Sequence, residues 1–170
     1  MPPLRDRIKP GVRALFVGIN PGIRSAQTGH HFAGYSNRFW KLLFESGLVP
    51  EPIDWQSDAR LPEWGFGITN LVSRETPGID SLRLEECLAG VEVLRRKVRR
   101  FKPEIVVFVG VSLYRWVFPT TGQVNLGAQQ ERFEGSQVFV LPNPSGRNAN
   151  YSYAEMLAAF RTLRRRLELR

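Results

Sequence analysis

Residues 104–110 read EIVVFVG, and residues 12–18 carry a similar run, VRALFVG. Each run is short, apolar and closed by glycine, which is typical of strands buried on both faces of a parallel sheet. Two further strands are predicted at residues 67–72 and 137–141. Segments with helical periodicity separate these strands. The chain therefore predicts an α/β fold, a three-layer α/β/α sandwich around a mainly parallel central sheet of about four strands.

The predicted helices cover residues 36–48, 111–118 and 152–169, together with a long helix that runs from Asp80 or Ser81 to about Arg100. Asp80 or Ser81 is expected to cap the long helix, because both side chains can accept a backbone N–H. Residues 50–63 hold three prolines and no periodicity, so they predict a loop. The sequence shows no repeat or linker, which favours one domain over residues 1–170.

Net charge, the few cysteines and histidines, and the lack of long apolar stretches limit the classes of function to consider. The chain carries 24 Lys and Arg against 16 Asp and Glu, a formal charge of +8. That excess suits a phosphate-bearing partner, although arginines on a solvated helix face would give the same count.

The chain has a single cysteine and two adjacent histidines, His30 and His31. These are too few for a typical zinc site, so no metal and no cofactor are expected. No apolar stretch is long enough to span a membrane and the N-terminus lacks a secretory signal, so a cytoplasmic, nucleoid-associated protein with no membrane partner is predicted.

Two of the predicted strands end in loops rich in glycine, proline and asparagine. Residues 18–22 read GINPG, and residues 142–148 read PNPSGRN. Ligands of parallel α/β sheets bind beyond the carboxyl ends of the strands, so both loops are expected to face one crevice. GINPG alone is equally compatible with a tight turn, and its glycine spacing matches neither a phosphate-binding loop nor a dinucleotide fingerprint.

Three longer segments resemble one enzyme family. They are GINPGIRSAQTGHHFAGYSNRFW at residues 18–40, GITNLVSRETPG at residues 67–78 and NPSGRNA at residues 143–149. In this order they resemble the mismatch-specific uracil/thymine DNA glycosylases of the uracil-DNA glycosylase superfamily, and the resemblance covers nearly the whole chain. It implies a monomeric base-excision repair enzyme that flips uracil out of double-stranded DNA, notably opposite guanine, and hydrolyses the N-glycosidic bond. Thymine, other modified pyrimidines and single-stranded DNA are further implied substrates. Two alternatives remain open, a catalytically silent DNA-damage binder on the same fold and a small-molecule-binding α/β protein.

The resemblance assigns the central roles to two residues. Asn20 matches the position that holds the attacking water, and Phe32 matches the aromatic residue that stacks on the flipped base. An amide is a poor base near neutral pH, so Asn20 would orient the water while the glycosidic bond breaks largely on its own. Asp80 and Glu75 are the candidates for a carboxylate that assists catalysis, although each is equally compatible with a solvated surface group.

The remaining predicted site residues form two groups. Those predicted to contact the flipped nucleotide are Gly18, Ile19, Pro21, Gly22, Ser25, His31, Asn37 and Asn70. Those predicted to enter the DNA are Asn143, Pro144, Ser145, Gly146, Arg147 and Asn148. Arg147 stands where bacterial members of the family usually carry an apolar wedge, so it is expected either to fill the gap left by the base and contact its partner or to bind phosphate. For His31 the sequence leaves open a contact to DNA or a structural role.

Overall fold

The computed structural model describes residues 4–168 and contains a five-stranded sheet. The strands are β1 (Ala14–Gly18), β2 (Phe66–Asn70), β3 (Ile105–Val109), β4 (Gly127–Phe133) and β5 (Ser136–Leu141). Their order is β2-β1-β3-β5-β4; β1, β2, β3 and β5 run parallel, and β4 pairs antiparallel to β5. The predicted α/β fold with a mainly parallel sheet is therefore confirmed.

Helices cover both faces of the sheet. They are α1 (Ile23–Thr28), α2 (Phe39–Glu45), α3 (Leu84–Phe101), α4 (Val111–Val117) and α5 (Tyr153–Glu168). One core cluster joins Phe16 of β1 to α2 and α5, and the other joins Leu15 and Val17 of the same strand to α3 and α4. Successive residues of a strand point to opposite faces, so this division confirms the three layers.

The sheet has five strands where four were predicted. The additional strand β4 reads GAQQERF and is largely exposed, so it lacks the apolar run that marks a buried strand. It lies at the sheet edge and forms a hairpin with β5 through Glu134 and Gly135, both of which have positive φ. Backbone pairing with β5 rather than burial of side chains forms this strand, which is why the sequence pattern did not reveal it.

Several helix boundaries also differ from the predictions. Asp80 and Ser81 do not cap the long helix, because they lie in a separate 3₁₀ turn, Ile79–Ser81, and α3 begins at Leu84. Residues 50–63 are not wholly a loop, since Trp55–Trp64 forms consecutive 3₁₀ turns that Asp54 caps by accepting the Gln56 N–H. The last helix begins after Ser152, whose hydroxyl accepts the Glu155 N–H. Residue 169 of the predicted helix lies outside the described residues.

The strand order places a ligand crevice at one position. From β1 the chain continues to β2 on one side, whereas β3 and β5 lie on the other side. Parallel α/β sheets bind ligands beyond the carboxyl ends of the strands where the order reverses in this way, which here is between β1 and β3. Among the helices of residues 4–168, none is long and apolar enough to cross a membrane.

Candidate active site

A cleft of about 650 Å³ opens at the carboxyl ends of the parallel strands. It brings together the two loops predicted to share one crevice, after β1 and after β5, and adds residues 31–37 and the segment after β2. The turn between β3 and α4 closes one more side, where Gly110 has a φ of 129° that favours glycine. Sequence reasoning did not include this turn in the site, although β3 ends at the same sheet edge. The predicted residues that line the cleft are Gly18, Ile19, Asn20, Pro21, Gly22, Ser25, His31, Phe32, Asn37, Asn70, Asp80, Asn143, Ser145, Arg147 and Asn148.

The Asn20 side chain is held in one orientation. Its Nδ2 donates to the carbonyl oxygen of Arg74 at 2.9 Å and to Oγ1 of Thr76 at 2.8 Å. A carbonyl oxygen only accepts hydrogen bonds, so the atom that faces Arg74 must be the NH₂ group. Oδ1 therefore points the other way and has no hydrogen-bond partner among residues 4–168, which leaves it able to accept a hydrogen bond from a water.

Thr76 is a functional residue that sequence reasoning missed. Its side chain is buried, and its hydroxyl accepts from Asn20 and donates to the carbonyl oxygen of Gly78 at 2.7 Å. Because the Thr76 proton is committed to Gly78, the hydroxyl oxygen can only accept from Asn20, which reinforces the amide orientation. The available signal was the hydroxyl just before the Pro77–Gly78 turn.

Phe32, which lines the cleft, adopts a strained backbone conformation. Its φ is 49°, in the left-handed region that non-glycine residues rarely occupy, and such strain concentrates at functional sites. Its ring packs on Phe39 with centroids 4.2 Å apart. A Cβ on Gly18 would lie 3.5 Å from the Phe32 ring and 2.6 Å from Asn70 Oδ1, so glycine allows the Asn70 amide to lie this close to the backbone. The ring edge, the Gly18 backbone and the Asn70 amide therefore meet at one place.

A buried carboxylate fixes the segment that precedes Phe32. Asp58 is fully buried; its Oδ2 accepts the His31 backbone N–H at 2.8 Å, and its Oδ1 lies 2.8 Å from His30 Nδ1 and 3.5 Å from the Arg7 guanidinium. On the far side, Trp40 Nε1 donates to the His31 carbonyl oxygen at 3.0 Å. The strained conformation of Phe32 is thus held by bonds to both backbone groups of the residue before it.

His31 has a structural partner. Its Nε2 lies 2.7 Å from the Arg5 carbonyl oxygen, so this nitrogen carries the proton and donates. Burial lowers the pKa of His31, and the bond to Arg5 opposes that shift with a smaller effect. The ring is therefore neutral near pH 7, which gives it no charge with which to bind phosphate. A contact to the base through the cleft stays a prediction.

Three other polar side chains line the same cleft. Ser25 is buried and its Oγ accepts the Ala33 N–H at 3.0 Å, which holds the chain beyond Phe32. Asn37 Oδ1 accepts the Phe39 N–H at 2.9 Å at the start of α2. The Asn70 amide has no hydrogen-bond partner among the described side chains and backbone groups, so its donor and acceptor are both available to a ligand.

The two candidate carboxylates differ in position. Both are exposed, but Asp80 lines the cleft, whereas Glu75 lies outside the lining. The neighbouring Arg74 lies outside the lining, and its Nε and Nη2 donate to the two carboxylate oxygens of Glu86 at 2.8 and 2.7 Å. This pairing lowers the pKa of Glu86 to about 2 and keeps the carboxylate ionised. Within residues 4–168, no group of three His, Cys, Asp or Glu side chains is arranged to hold a metal ion.

The loop after β5 is fixed by its own side chains. Asn143 Oδ1 accepts the Ser145 N–H at 3.0 Å, Ser145 Oγ accepts the Arg147 N–H at 3.2 Å, and Asn148 Nδ2 donates to the Asn143 carbonyl oxygen at 2.9 Å. Arg38, just before α2, donates to the Ser145 carbonyl oxygen at 3.0 Å. Pro144 is buried beneath the loop. The exposed Arg147 side chain projects from this fixed loop and has no protein partner among the described residues.

Gly146 provides a test of how this loop is seated. A Cβ there would lie 2.6 Å from Ser36 Cβ and 2.8 Å from the Ser36 carbonyl oxygen, both too close. We expect Gly146→Ala to displace the loop and to weaken binding of duplex DNA about tenfold, since overpacking of this kind costs about 1–3 kcal/mol. Fluorescence anisotropy with a labelled duplex measures the change. Gly122→Ala, whose Cβ would meet only Thr120 Oγ1 at 3.8 Å, is the matched control; equal affinities for the two variants would contradict the prediction.

Comparison with known proteins shows the family and supports the fold. The family described as "Uracil DNA glycosylase superfamily" matches residues 6–167. The chain belongs to that superfamily. The fold is also similar to the solution structure of a candidate uracil DNA glycosylase from Methanosarcina acetivorans, with 19% identity, coverage of 98% of this chain and 97% of that one, and a TM-score of 0.64. Membership of the superfamily supports the conclusion that the chain is a DNA glycosylase, which is a DNA-repair hydrolase that acts on DNA. The similar structure supports the fold.

Proposed function

We propose that this DNA glycosylase excises uracil from DNA by hydrolysis of the N-glycosidic bond. We also propose that it first flips the uracil out of the duplex, as expected for mismatch-specific uracil/thymine glycosylases. The observation that carries the proposal is the fixed amide of Asn20, which lines the same cleft as Phe32 and Asn70 and whose Oδ1 has no hydrogen-bond partner among residues 4–168. A flipped pyrimidine needs an aromatic face, polar groups for its edge and a placed water. Three cleft residues support this proposal: Phe32 as the aromatic face, Asn70 as a polar group for the edge, and Asn20 as an acceptor for the water.

The proposed reaction is metal-free and monofunctional. A water that donates a hydrogen bond to Asn20 Oδ1 attacks C1′ as the bond between C1′ and N1 breaks, and the electron pair of that bond leaves with uracil as an anion. The water keeps one proton in the new sugar hydroxyl and releases the other, which Asp80 or the departing uracil anion takes up. The sugar carries positive charge at the transition state, so groups that stabilise the uracil anion lower the barrier. In this proposal Asn70 and the backbone of Ile19 and Phe32, which line the cleft, contact the base. No lysine lies in the cleft lining, so no Schiff base is part of this proposal.

Asp80 is the carboxylate that we place near the reaction. It lines the cleft, and its charge would favour the cationic sugar or take the proton of the water. Glu75 is exposed and outside the lining, so we give it no role in the chemical step. His31, bonded through its ring to Arg5, is given a structural role here.

Arg147 is proposed to fill the space that the flipped base leaves. Its side chain projects into the cleft mouth from a loop held by three internal hydrogen bonds, so it is well supported for insertion. Arg147→Ala is expected to lower excision of uracil opposite guanine more than opposite adenine, about fivefold in the ratio of kcat/KM, because a guanidinium contacts guanine well. Single-turnover excision from the two duplexes measures this ratio. An unchanged ratio with a uniform loss would make Arg147 a phosphate contact.

The decisive experiment is uracil release from a labelled duplex with one uracil opposite guanine. The purified protein is expected to produce alkali-labile sites at that position, and duplexes with U:A and T:G pairs and single-stranded uracil DNA give its preferences. Absence of release on every substrate, with duplex binding retained, would make the protein a silent damage binder. We propose that the enzyme works as a monomer on chromosomal DNA in the cytoplasm.

A further inference from the structure

A second, apolar groove of about 400 Å³ lies next to the active-site cleft. The two share Phe32, Gly34 and Asn37 in their walls, so Phe32 and the residues after it separate them. The groove walls are mainly flat rings, contributed by Phe32, Tyr35, Trp40, Phe44 and Trp55. None of the roles assigned to the cleft uses this groove.

Tyr35 is the unusual residue of the groove. Its side chain is 89% exposed, although a large aromatic ring normally seeks burial. Arg24 holds it in place: the guanidinium carbon lies 3.9 Å from the ring centroid and NH1 donates to the tyrosine hydroxyl at 2.8 Å. Arg24 is fixed in turn, because its Nε donates to the Ala33 carbonyl oxygen at 2.7 Å. Arg24 thus covers one face of the Tyr35 ring, and the opposite face remains available for stacking.

The charges around the groove favour a nucleic acid. Arg24 lies 5.0 Å from the Trp55 ring centroid, and Lys41 lines the groove from α2. The one carboxylate in the lining, Asp54, accepts the Gln56 N–H with Oδ1. Aromatic faces bordered by cations are the arrangement with which proteins bind unpaired bases and the phosphates between them. A groove of this size also suits one nucleobase.

We propose that this groove binds the nucleobase next to the target uracil when the DNA strand is unpaired, with that base stacked on Tyr35. The proposal rests on the proposed function for the nucleotide in the cleft. Because the two sites share Phe32, a strand that places uracil in the cleft brings its next nucleotide to the groove. In a duplex the neighbouring base stays paired and stacked, so the groove contributes only on single-stranded DNA.

Three proteins test this inference: wild type, Tyr35→Phe and Tyr35→Leu. Phenylalanine keeps the ring, whereas leucine keeps apolar bulk without a face for stacking. Anisotropy with labelled, uracil-free oligothymidylate is expected to give a Kd about tenfold higher for Tyr35→Leu and within twofold of wild type for Tyr35→Phe, as expected for loss of one stacked base. For excision, the KM on single-stranded uracil DNA should rise in parallel, with kcat unchanged and duplex excision within twofold.

Two results would overturn the proposal. One is an equal oligothymidylate Kd for all three proteins. The other is a dimer in sedimentation velocity that Tyr35→Leu dissociates without a change in that Kd, since the groove would then be a contact between protein copies. Failure of the proposed function is seen separately: the wild-type protein would release no uracil, while the oligothymidylate Kd would still report on the groove.

Discussion

Asn20→Ala is expected to lower kcat for uracil release about a thousandfold while the Kd for duplex DNA stays within threefold. The variant removes the only group that we assign to holding the attacking water, and loss of such a positioned group typically costs about two to four orders of magnitude. Single-turnover excision from a U:G duplex gives the rate, and anisotropy gives the Kd. Asn125→Ala, an exposed asparagine in the segment before β4, is the matched control.

A second prediction concerns Thr76, which holds the Asn20 amide through a hydrogen bond. If Thr76 fixes the amide through its hydroxyl, Thr76→Val should lower kcat about fivefold, since one hydrogen bond contributes about 1 kcal/mol, and Thr76→Ser should restore most of the rate. Full activity of Asn20→Ala together with inactivity of Asp80→Ala would contradict the mechanism, because the carboxylate alone would then activate the water. The function as a uracil glycosylase would survive that result.

The sequence was informative where burial or backbone geometry restricts residue choice. The apolar runs that became β1 and β3 identified the sheet because strands covered on both faces admit few polar residues. The GINPG and NPSGR loops identified the cleft because glycine, proline and asparagine define fixed turns at strand ends. The polar strand β4 gave no such signal, since its backbone pairs with β5 whatever its side chains are.

The hydrogen-bond partners of the site residues could not be predicted, because they lie far away in the sequence. Asp58 lies 28 positions after His30 in a segment without periodicity, and nothing local shows that it is buried against residues 30–31. Thr76 bonds Asn20 across 56 positions. A hydrogen bond between distant segments constrains only the two side chains involved, so it leaves no repeating pattern in either segment.

Asp58→Ala is expected to reduce both stability and activity. The substitution leaves the His31 N–H without its acceptor and the Arg7 guanidinium without its carboxylate, and Arg7 Nε already has no partner among the described groups. Removing one member of a buried charged pair costs about 3–5 kcal/mol, so the free energy of unfolding should fall by about that amount. Urea denaturation followed by tryptophan fluorescence measures it. Glu63→Ala removes an exposed carboxylate from Arg60 and is expected to cost less than about 0.5 kcal/mol.

The activity of a second variant, Asp58→Asn, shows whether Asp58 positions Phe32 or only stabilises the fold. Asp58→Asn keeps an oxygen for the His31 N–H but loses the charge opposite Arg7, so it should fold while it holds the left-handed Phe32 less firmly. We expect its KM for uracil DNA to rise about tenfold at a temperature where the variant is fully folded, with a smaller change in kcat, since Asn20 is held by other bonds. A variant with reduced stability and an unchanged KM would show that the Asp58 network stabilises the fold without positioning the stacking ring.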